Sequence, residues 1–496
     1  MSTTNNFPPE LMCDFYKLSH PEQYPEGTEY VFSTWTPRGS RNPGINKVVV
    51  FGVQGFIKDF LINYFNDNFF ARPKEAVIAE YVRFIRHTLG HTNPDCSRIA
   101  ALHDLGYLPL KIKALKEGSR AEIRVPVVTV ENTLPEFYWL TNFIETVMSC
   151  EVWMPSTSAT IAFQYLEILT KYAKLTGGDL NAVQFQGHDF SMRGMAGRSA
   201  AASSGAGHLL SFSGTDTCPA IGYLEKYYNA DIEKELVGTS IPATEHAVMC
   251  ANGQDEKTVI KRLITEVYPE GFASIVCDTW DFWHVVGEVI PSLKKEIMGR
   301  DGRVVIRPDS GDPVLILCGD PDAEDEIVRK GLIEVLWDTF NGSLTPRGYK
   351  QLDPHIGAIY GDSITLDRAE EISKLLMAKG FASTNVVFGI GSFTYQYNTR
   401  DTFMYAMKAT QVVINGQEQL IYKDPKTDSG IKKSQRGLVA VMSDGNGGFK
   451  YVDGMFREDY NEIAHLDQLE VVFLDGKLLR DESLGEIRAR LQSQIV

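Results

Sequence analysis

The chain has 496 residues, with 49 lysines and arginines against 64 aspartates and glutamates, and a formal net charge of −15. That sign argues against a nucleic-acid binder, because neutralising phosphates needs a basic face. The length exceeds the ~250–300 residues at which one core stops growing, so two domains or a large barrel with a second layer are expected. A 43% hydrophobic and 23% charged composition excludes wholesale disorder.

The first ten residues, Met1 to Glu10, are polar and include Pro8 and Pro9, unlike a signal peptide. No apolar run approaches the ~18 residues of a membrane span. The seven cysteines (Cys13, Cys96, Cys150, Cys218, Cys250, Cys277 and Cys318) are scattered and never form a C-x-x-C pair. Reduced thiols in a cytoplasmic protein are expected, with neither a disulfide framework nor a zinc site.

Lys47 to Val53 reads as a strand, and the apolar spacing from Gln54 to Phe65 predicts a helix. Glu122 to Glu131 reads as an edge or turn-interrupted strand, since Pro126 cannot donate to a ladder. Pro135 to Met148 reads as a buried helix. From Asn181 to Thr399 short apolar runs recur, each stopping at Gly, Asp, Arg or Ser. They are Ala182 to Phe185, Leu209 to Phe212, Ser274 to Cys277, Val304 to Ile306, Ala358 to Tyr360 and Val386 to Phe388. Helix-like stretches, Glu324 to Phe340 and Asp367 to Lys379, lie between some of them. Such alternation predicts a parallel sheet curled into a barrel, with its site at the C-terminal mouth. After Arg400 an antiparallel pattern returns, with Asn415-Gly416 as a hairpin turn. The expected fold class is α/β. A barrel over 166–399 is inserted in a mixed, β-rich α+β domain built from 1–165 and 400–496. Two domains in simple series remain the alternative.

Common nucleotide, metalloprotease and esterase motifs are absent from the sequence. Gly389-Ile390-Gly391 starts like a dinucleotide fingerprint, but Thr394 takes the third glycine's place. The pair fits a monophosphate cradle, or simply a tight βα turn. In Arg307-Pro308-Asp309-Ser310-Gly311-Asp312-Pro313, proline fixes the backbone between a cation and a carboxylate. That turn can aim Arg307 at a phosphate or carboxamide while Asp309 accepts ribose hydroxyls, or it can close a loop through an Arg–Asp pair. Gly361-Asp362 repeats the theme one strand later. His188 to Arg193 places Phe190, which can stack on a heterocycle or lie in the core, near a cation. Among the histidines His246 is the best placed, with Asp278 as the group to orient it.

Together these segments resemble the nicotinamide phosphoribosyltransferases, of the type II phosphoribosyltransferase (nicotinate phosphoribosyltransferase) family. The resemblance begins with Asp14-Phe15-Tyr16-Lys17, Gln23-Tyr24-Pro25, Val130-Glu131-Asn132-Thr133 and Tyr138-Trp139-Leu140-Thr141-Asn142. It continues through HDFSMRG (His188 to Gly194), GTDT (Gly214 to Thr217), IPATEH (Ile241 to His246), IRPDSGDP (Ile306 to Pro313) and Gly361-Asp362. It ends with Thr399-Arg400-Asp401 and Lys423-Asp424-Pro425.

The resemblance implies an irregular βα barrel, a homodimer with shared active sites, and transfer of phosphoribose from 5-phosphoribosyl 1-pyrophosphate to nicotinamide in NAD salvage. Phe190 and the partner's Tyr16 would sandwich the pyridine, and Asp216 would accept from the carboxamide. Arg193, Arg307 and Asp309 would contact amide, ribose or diphosphate. Gly361, Asp362, Gly391, Ser392 and Arg400 match ribose and 5′-phosphate positions, and Arg38 and Lys408 of a second subunit would meet the pyrophosphate. His246 matches a histidine phosphorylated by ATP. Mg²⁺ is expected with the diphosphate, its protein ligands unassigned.

Two departures stand out: Gly391-Ser392-Phe393 replaces a run of three glycines, and Ser191-Met192 replaces a glycine and a tyrosine. Like charges ~4 Å apart repel by about 4 kcal/mol at an effective dielectric near 20, close to a thousandfold. Asp216 should therefore prefer nicotinamide to nicotinate. The alternatives are a nicotinate phosphoribosyltransferase of the same fold and a non-catalytic phosphosugar-binding protein.

Overall fold

Two separate sheets organise the chain in a computed structural model that describes residues 6–361, 363–423 and 434–495. One compact unit draws on the chain up to Thr160, on Leu224–Ala230 and on Asn398–Gln494; the other draws on Ile161–Tyr223 and Asp231–Tyr397.

The first unit holds a seven-stranded antiparallel sheet. Its edge-to-edge order is Gln417–Leu420, Tyr405–Ile414, Thr28–Pro37, Val128–Asn132, Leu110–Ala114, Glu470–Leu474 and Lys477–Leu478. The Asn415-Gly416 hairpin forms, with φ of 50° and 73°, the pair of positive values a two-residue primed turn needs. The interruption at Pro126 also forms, dividing Arg120–Glu122 from Val128–Asn132. Trp35 stacks on Tyr405 at 5.4 Å and anchors the centre of the sheet. The expected strand from Lys47 to Val53 is shorter than read, ending at Val49. Gly52 turns the backbone at φ 101°, where a Cβ would lie 2.5 Å from Pro155 Cγ, and helix begins at Val53.

Glu117 is wholly buried in this unit and accepts from the backbone N–H groups of Gly52 and Gln54 at 3.2 and 2.7 Å. Burial pushes its carboxyl up to about 7; the Gln54 hydrogen bond opposes this, and the neighbouring Glu482 charge adds to it.

The second unit holds a parallel sheet in the order Gly214–Thr215, Gly187–Asp189, Val386–Ile390, Ile356–Tyr360, Asp301–Arg307, Glu270–Val276. The segment from Thr239 to Thr244 joins its two edges. Thr239 N–H donates to Ser213 O at 2.7 Å and Thr215 N–H to Thr239 O at 2.9 Å. On the other edge Ser274 N–H donates to Pro242 O at 2.8 Å and Thr244 N–H to Ser274 O at 3.0 Å. The ring thus closes through a stave that is not a regular strand, because Pro242 has no N–H to give a ladder. Helices return the chain between strands. Leu366–Ala378, for example, starts where Thr365 accepts from Arg368 N–H and buries Ala369, Ile372 and Leu376.

Two of the apolar runs are not strands. Ala182 to Phe185 lies in the 3-10 helix Leu180–Phe185, nucleated by Asp179 accepting from Asn181 N–H. Leu209 to Phe212 is the turn after helix Arg198–His208. Phe212 packs flat under Gly187, where a Cβ would come within 2.8 Å of its ring, so the strands start only at Gly187 and Gly214. Among the described residues no helix is long and apolar enough to cross a membrane. All seven cysteines are free.

Candidate active site

A cavity of about 450 Å³ opens in the parallel-sheet unit, lined among others by His188, Phe190, Asp216, Ser240 and Arg307. This is within the size range of small-molecule sites. Phe190 follows the strand Gly187–Asp189, and its N–H donates to Ile390 O at 3.0 Å. Its ring lies where Gly389 has no side chain: a Cβ there would sit 2.8 Å from Phe190 Cδ2 and 2.7 Å from Tyr360 O. The His188 ring packs beside Phe190 with centroids 4.6 Å apart.

Asp216 stands just past the strand Gly214–Thr215. Its Oδ1 accepts from His188 Nε2 at 2.9 Å and from the Ser240 hydroxyl. Burial works against ionisation, but the hydrogen bonds from His188 and Ser240, with the charges of His188 and Arg307, outweigh it and hold the carboxyl below the usual range. Arg307 reaches Thr244 O through Nη2 at 2.7 Å, whereas its Nε is buried without a hydrogen-bond partner among the described residues. A buried, unsatisfied guanidinium donor beside a cavity is suited to a ligand oxygen.

Beside it stands a second group. His246 Nε2 meets Asp278 Oδ1 at 3.0 Å. Asp278 Oδ2 accepts from Asp309 N–H at 2.9 Å and Ser310 Oγ at 2.6 Å. Burial again raises the Asp278 carboxyl, yet the donors Ser310, Asp309 N–H and His246 bring it below its ordinary value. Because an ionised carboxylate only accepts, it is the His246 Nε2–H that donates to Asp278, which leaves the Nδ1 edge of the ring facing away from this bond. Gly361 backs onto this turn, where a Cβ would lie 2.4 Å from Asp309 Oδ1.

Gly391 precedes the short helix Ser392–Tyr395. The Ser392 side chain fills the space left by Gly194, whose Cβ would fall 2.1 Å from Ser392 Oγ. Ser392, from one departure, thus packs against Gly194, two residues beyond the other at Ser191-Met192. Arg193 is exposed on the 3-10 turn Met192–Gly194. Asp362 lies outside the described residues.

Tyr16, Arg38, Arg400 and Lys408 belong to the other unit. Tyr16 is exposed. Lys408 pairs across the sheet with Thr34. Burial pushes its ammonium down; Glu145 opposes this, and Arg38, Lys17 and Arg400 lower it further. Four cations thus gather at one place, and Lys17, paired with Glu145, was not among the residues expected from sequence. His188, Ser240 and Ser310 were likewise missed, whereas Gly389, read from sequence as part of a phosphate cradle or a tight turn, makes room for the Phe190 ring. Only the neighbourhood of strand ends pointed to them, and Ser240 carried no signal of its own.

The nicotinate phosphoribosyltransferase (NAPRTase) family model matches residues 185–477, and the nicotinamide phosphoribosyltransferase N-terminal domain model matches residues 10–112. A nicotinamide phosphoribosyltransferase of Acinetobacter baylyi is 52% identical over 97% of this chain and 96% of its own. One from Mycoplasma pneumoniae is 34% identical over 84% of this chain and 92% of its own. Among solved structures, a nicotinate-nucleotide pyrophosphorylase from Pyrococcus furiosus aligns with TM-score 0.59 at 14% identity, over 100% of this chain and 97% of its own. Human nicotinic acid phosphoribosyltransferase aligns with TM-score 0.51 at 16% identity, over 97% of this chain and 93% of its own. Both support the type II phosphoribosyltransferase fold.

Proposed function

The chain belongs to the nicotinamide phosphoribosyltransferase family, and from that premise we propose that it joins nicotinamide to 5-phosphoribosyl 1-pyrophosphate, giving nicotinamide mononucleotide and pyrophosphate for NAD salvage. The pyridine nitrogen forms the new C–N bond to the anomeric carbon as the C–O bond to diphosphate breaks. The nucleophile has no proton to lose, so the protein's work is positioning and charge stabilisation. Phe190 offers a face to the pyridine, a contact of about 1–3 kcal/mol by analogy with base stacking. Asp216 accepts from the carboxamide, while Arg307 and Asp309 address the ribose and diphosphate. Arg193, Gly361, Asp362, Gly391, Ser392 and Arg400 are proposed for the remaining phosphate and ribose contacts. The observation that carries this reading is an ionised Asp216 held in the cavity beside Phe190.

Among the described residues no three His, Cys, Asp or Glu side chains gather to hold a metal ion. Mg²⁺ is proposed only as the counter-ion that the diphosphate substrate brings with it. ATP is proposed as a coupled substrate: His246 Nδ1 forms an N–P bond to the γ-phosphorus, the P–O bond to ADP breaks, and water later cleaves the phosphohistidine. The orientation by Asp278 supports this. A homodimer is proposed in which Tyr16, Arg38 and Lys408 complete the partner's site. Its test is complementation: an inactive Lys408→Ala chain mixed with an inactive Asp309→Ala chain should recover about a quarter of wild-type activity. No recovery after verified subunit exchange refutes shared sites.

The deciding assay is mononucleotide formation from labelled nicotinamide, the pyrophosphate donor and Mg²⁺, with and without ATP, beside the same mixture with nicotinate. Efficient conversion of nicotinate with none of nicotinamide would overturn the substrate assignment.

A further inference from the structure

We propose that His188 and Ser240 are positioning residues that set the choice between the amide and the acid of the vitamin, by fixing Asp216 with one oxygen reserved for substrate. The inference rests on the reading of Asp216 as the carboxamide acceptor. Three parts of the barrel converge here: His188 from the strand Gly187–Asp189, Asp216 from the end of Gly214–Thr215, and Ser240 from the closing stave. Both donors go to Oδ1. Among the described residues no hydrogen bond reaches Oδ2 of a side chain that lines the cavity.

Two donors on one oxygen do two things. They hold the carboxylate plane, because rotation about the Cβ–Cγ bond would break both bonds. They also favour the ionised form, which can accept from an amide N–H and repels a second carboxylate. A protonated or rotated Asp216 could instead donate to nicotinate, and the discrimination would fade.

His188 is itself fixed. Its ring lies beside Phe190, and a Cβ on Gly214 would come within 2.7 Å of its Nδ1. The glycine of GTDT is therefore the space that lets the imidazole reach Asp216. One histidine thereby touches both the stacking ring and the amide acceptor.

The test measures kcat/KM for nicotinamide and for nicotinate in the wild type and in Ser240→Ala, His188→Leu, His188→Gln and Gly214→Ala. Ser240 is exposed, so its truncation spares the fold and keeps the test decisive if a His188 variant does not fold. Removing a donor to a charged group is expected to lower the nicotinamide-over-nicotinate ratio about tenfold in Ser240→Ala and His188→Leu. The change should fall mainly on the KM for nicotinamide. His188→Gln, which can donate from a similar reach, should restore most of the ratio, and Gly214→Ala should lower it. A wild type that prefers nicotinate would defeat the reading of Asp216 itself. A wild type that prefers nicotinamide, with variants that lose both activities equally or keep the ratio within twofold, would overturn the positioning role alone.

Discussion

Replacing Asp216 by serine removes the charge that the proposed selectivity needs while leaving a hydroxyl in its place. The repulsion of a second carboxylate ~4 Å away ranges from about 1 kcal/mol in bulk water to about 4 kcal/mol at an effective dielectric of 20. With its side chain 43% exposed, Asp216 sits between these limits. A value of about 2 kcal/mol, or roughly thirtyfold, is the better expectation than the thousandfold of a fully sheltered pair. Loss of the charge-assisted bond to the amide N–H costs nicotinamide a further ~1.5–3 kcal/mol, or about tenfold to a hundredfold. The two effects multiply, so the nicotinamide-over-nicotinate ratio of kcat/KM should fall by about three hundredfold or more. Both substrates are assayed at saturating pyrophosphate donor, with Asp216→Asn as the neutral isostere. If the ratio moves less than about threefold in both variants, Asp216 does not read the carboxamide.

Three further outcomes follow from the same geometry. His246→Ala should lose ATP stimulation and incorporate no label from γ-labelled ATP, and Asp278→Asn should slow labelling about tenfold; an undiminished label in His246→Ala refutes the phosphohistidine. Gly389→Ala drives a methyl into the Phe190 ring and should raise the KM for nicotinamide about tenfold through lost stacking, so an unchanged KM would remove Phe190 from the site. Glu117 has its folded value, about 7, above its ordinary 4.5, so its contribution to stability is complete below pH 4.5 and lost as pH rises through 7. The change is of order 3 kcal/mol. Glu117→Gln should flatten the melting temperature against pH across that window, and identical pH slopes in the two proteins would contradict the assignment.

The strands Glu270–Val276, Asp301–Arg307, Ile356–Tyr360 and Val386–Ile390 were legible because each is a short apolar run ending at a polar or glycine residue. The same signal misled at Ala182 to Phe185 and Leu209 to Phe212, which form a 3-10 helix and a helix end. Periodicity cannot separate these over four residues. Phe190 and Arg307 could be picked out by their places at strand ends and Asp216 through the family resemblance, and the three line one cavity. What held them could not. His188 and Asp216 are 28 residues apart, and their hydrogen bond depends on two neighbouring strands being in parallel register. Gly389 looked like a phosphate-loop glycine, whereas its close contacts are with Tyr360 O and Phe190 Cδ2.

The least regular part of the barrel explains why Ser240 was invisible. A regular strand there would spend its N–H and C=O groups on both neighbours and alternate its side chains in and out. The stave from Thr239 to Thr244 is instead tied by Thr239 on one side and by Pro242 and Thr244 on the other. Pro242 removes one donor and stiffens the chain beside it. Ser240 falls between the two ties, its backbone relieved of ladder geometry but its ends held. That arrangement lets a short hydroxyl lean across to Asp216, and weak strand character at this position is what the proposed positioning role of Ser240 calls for.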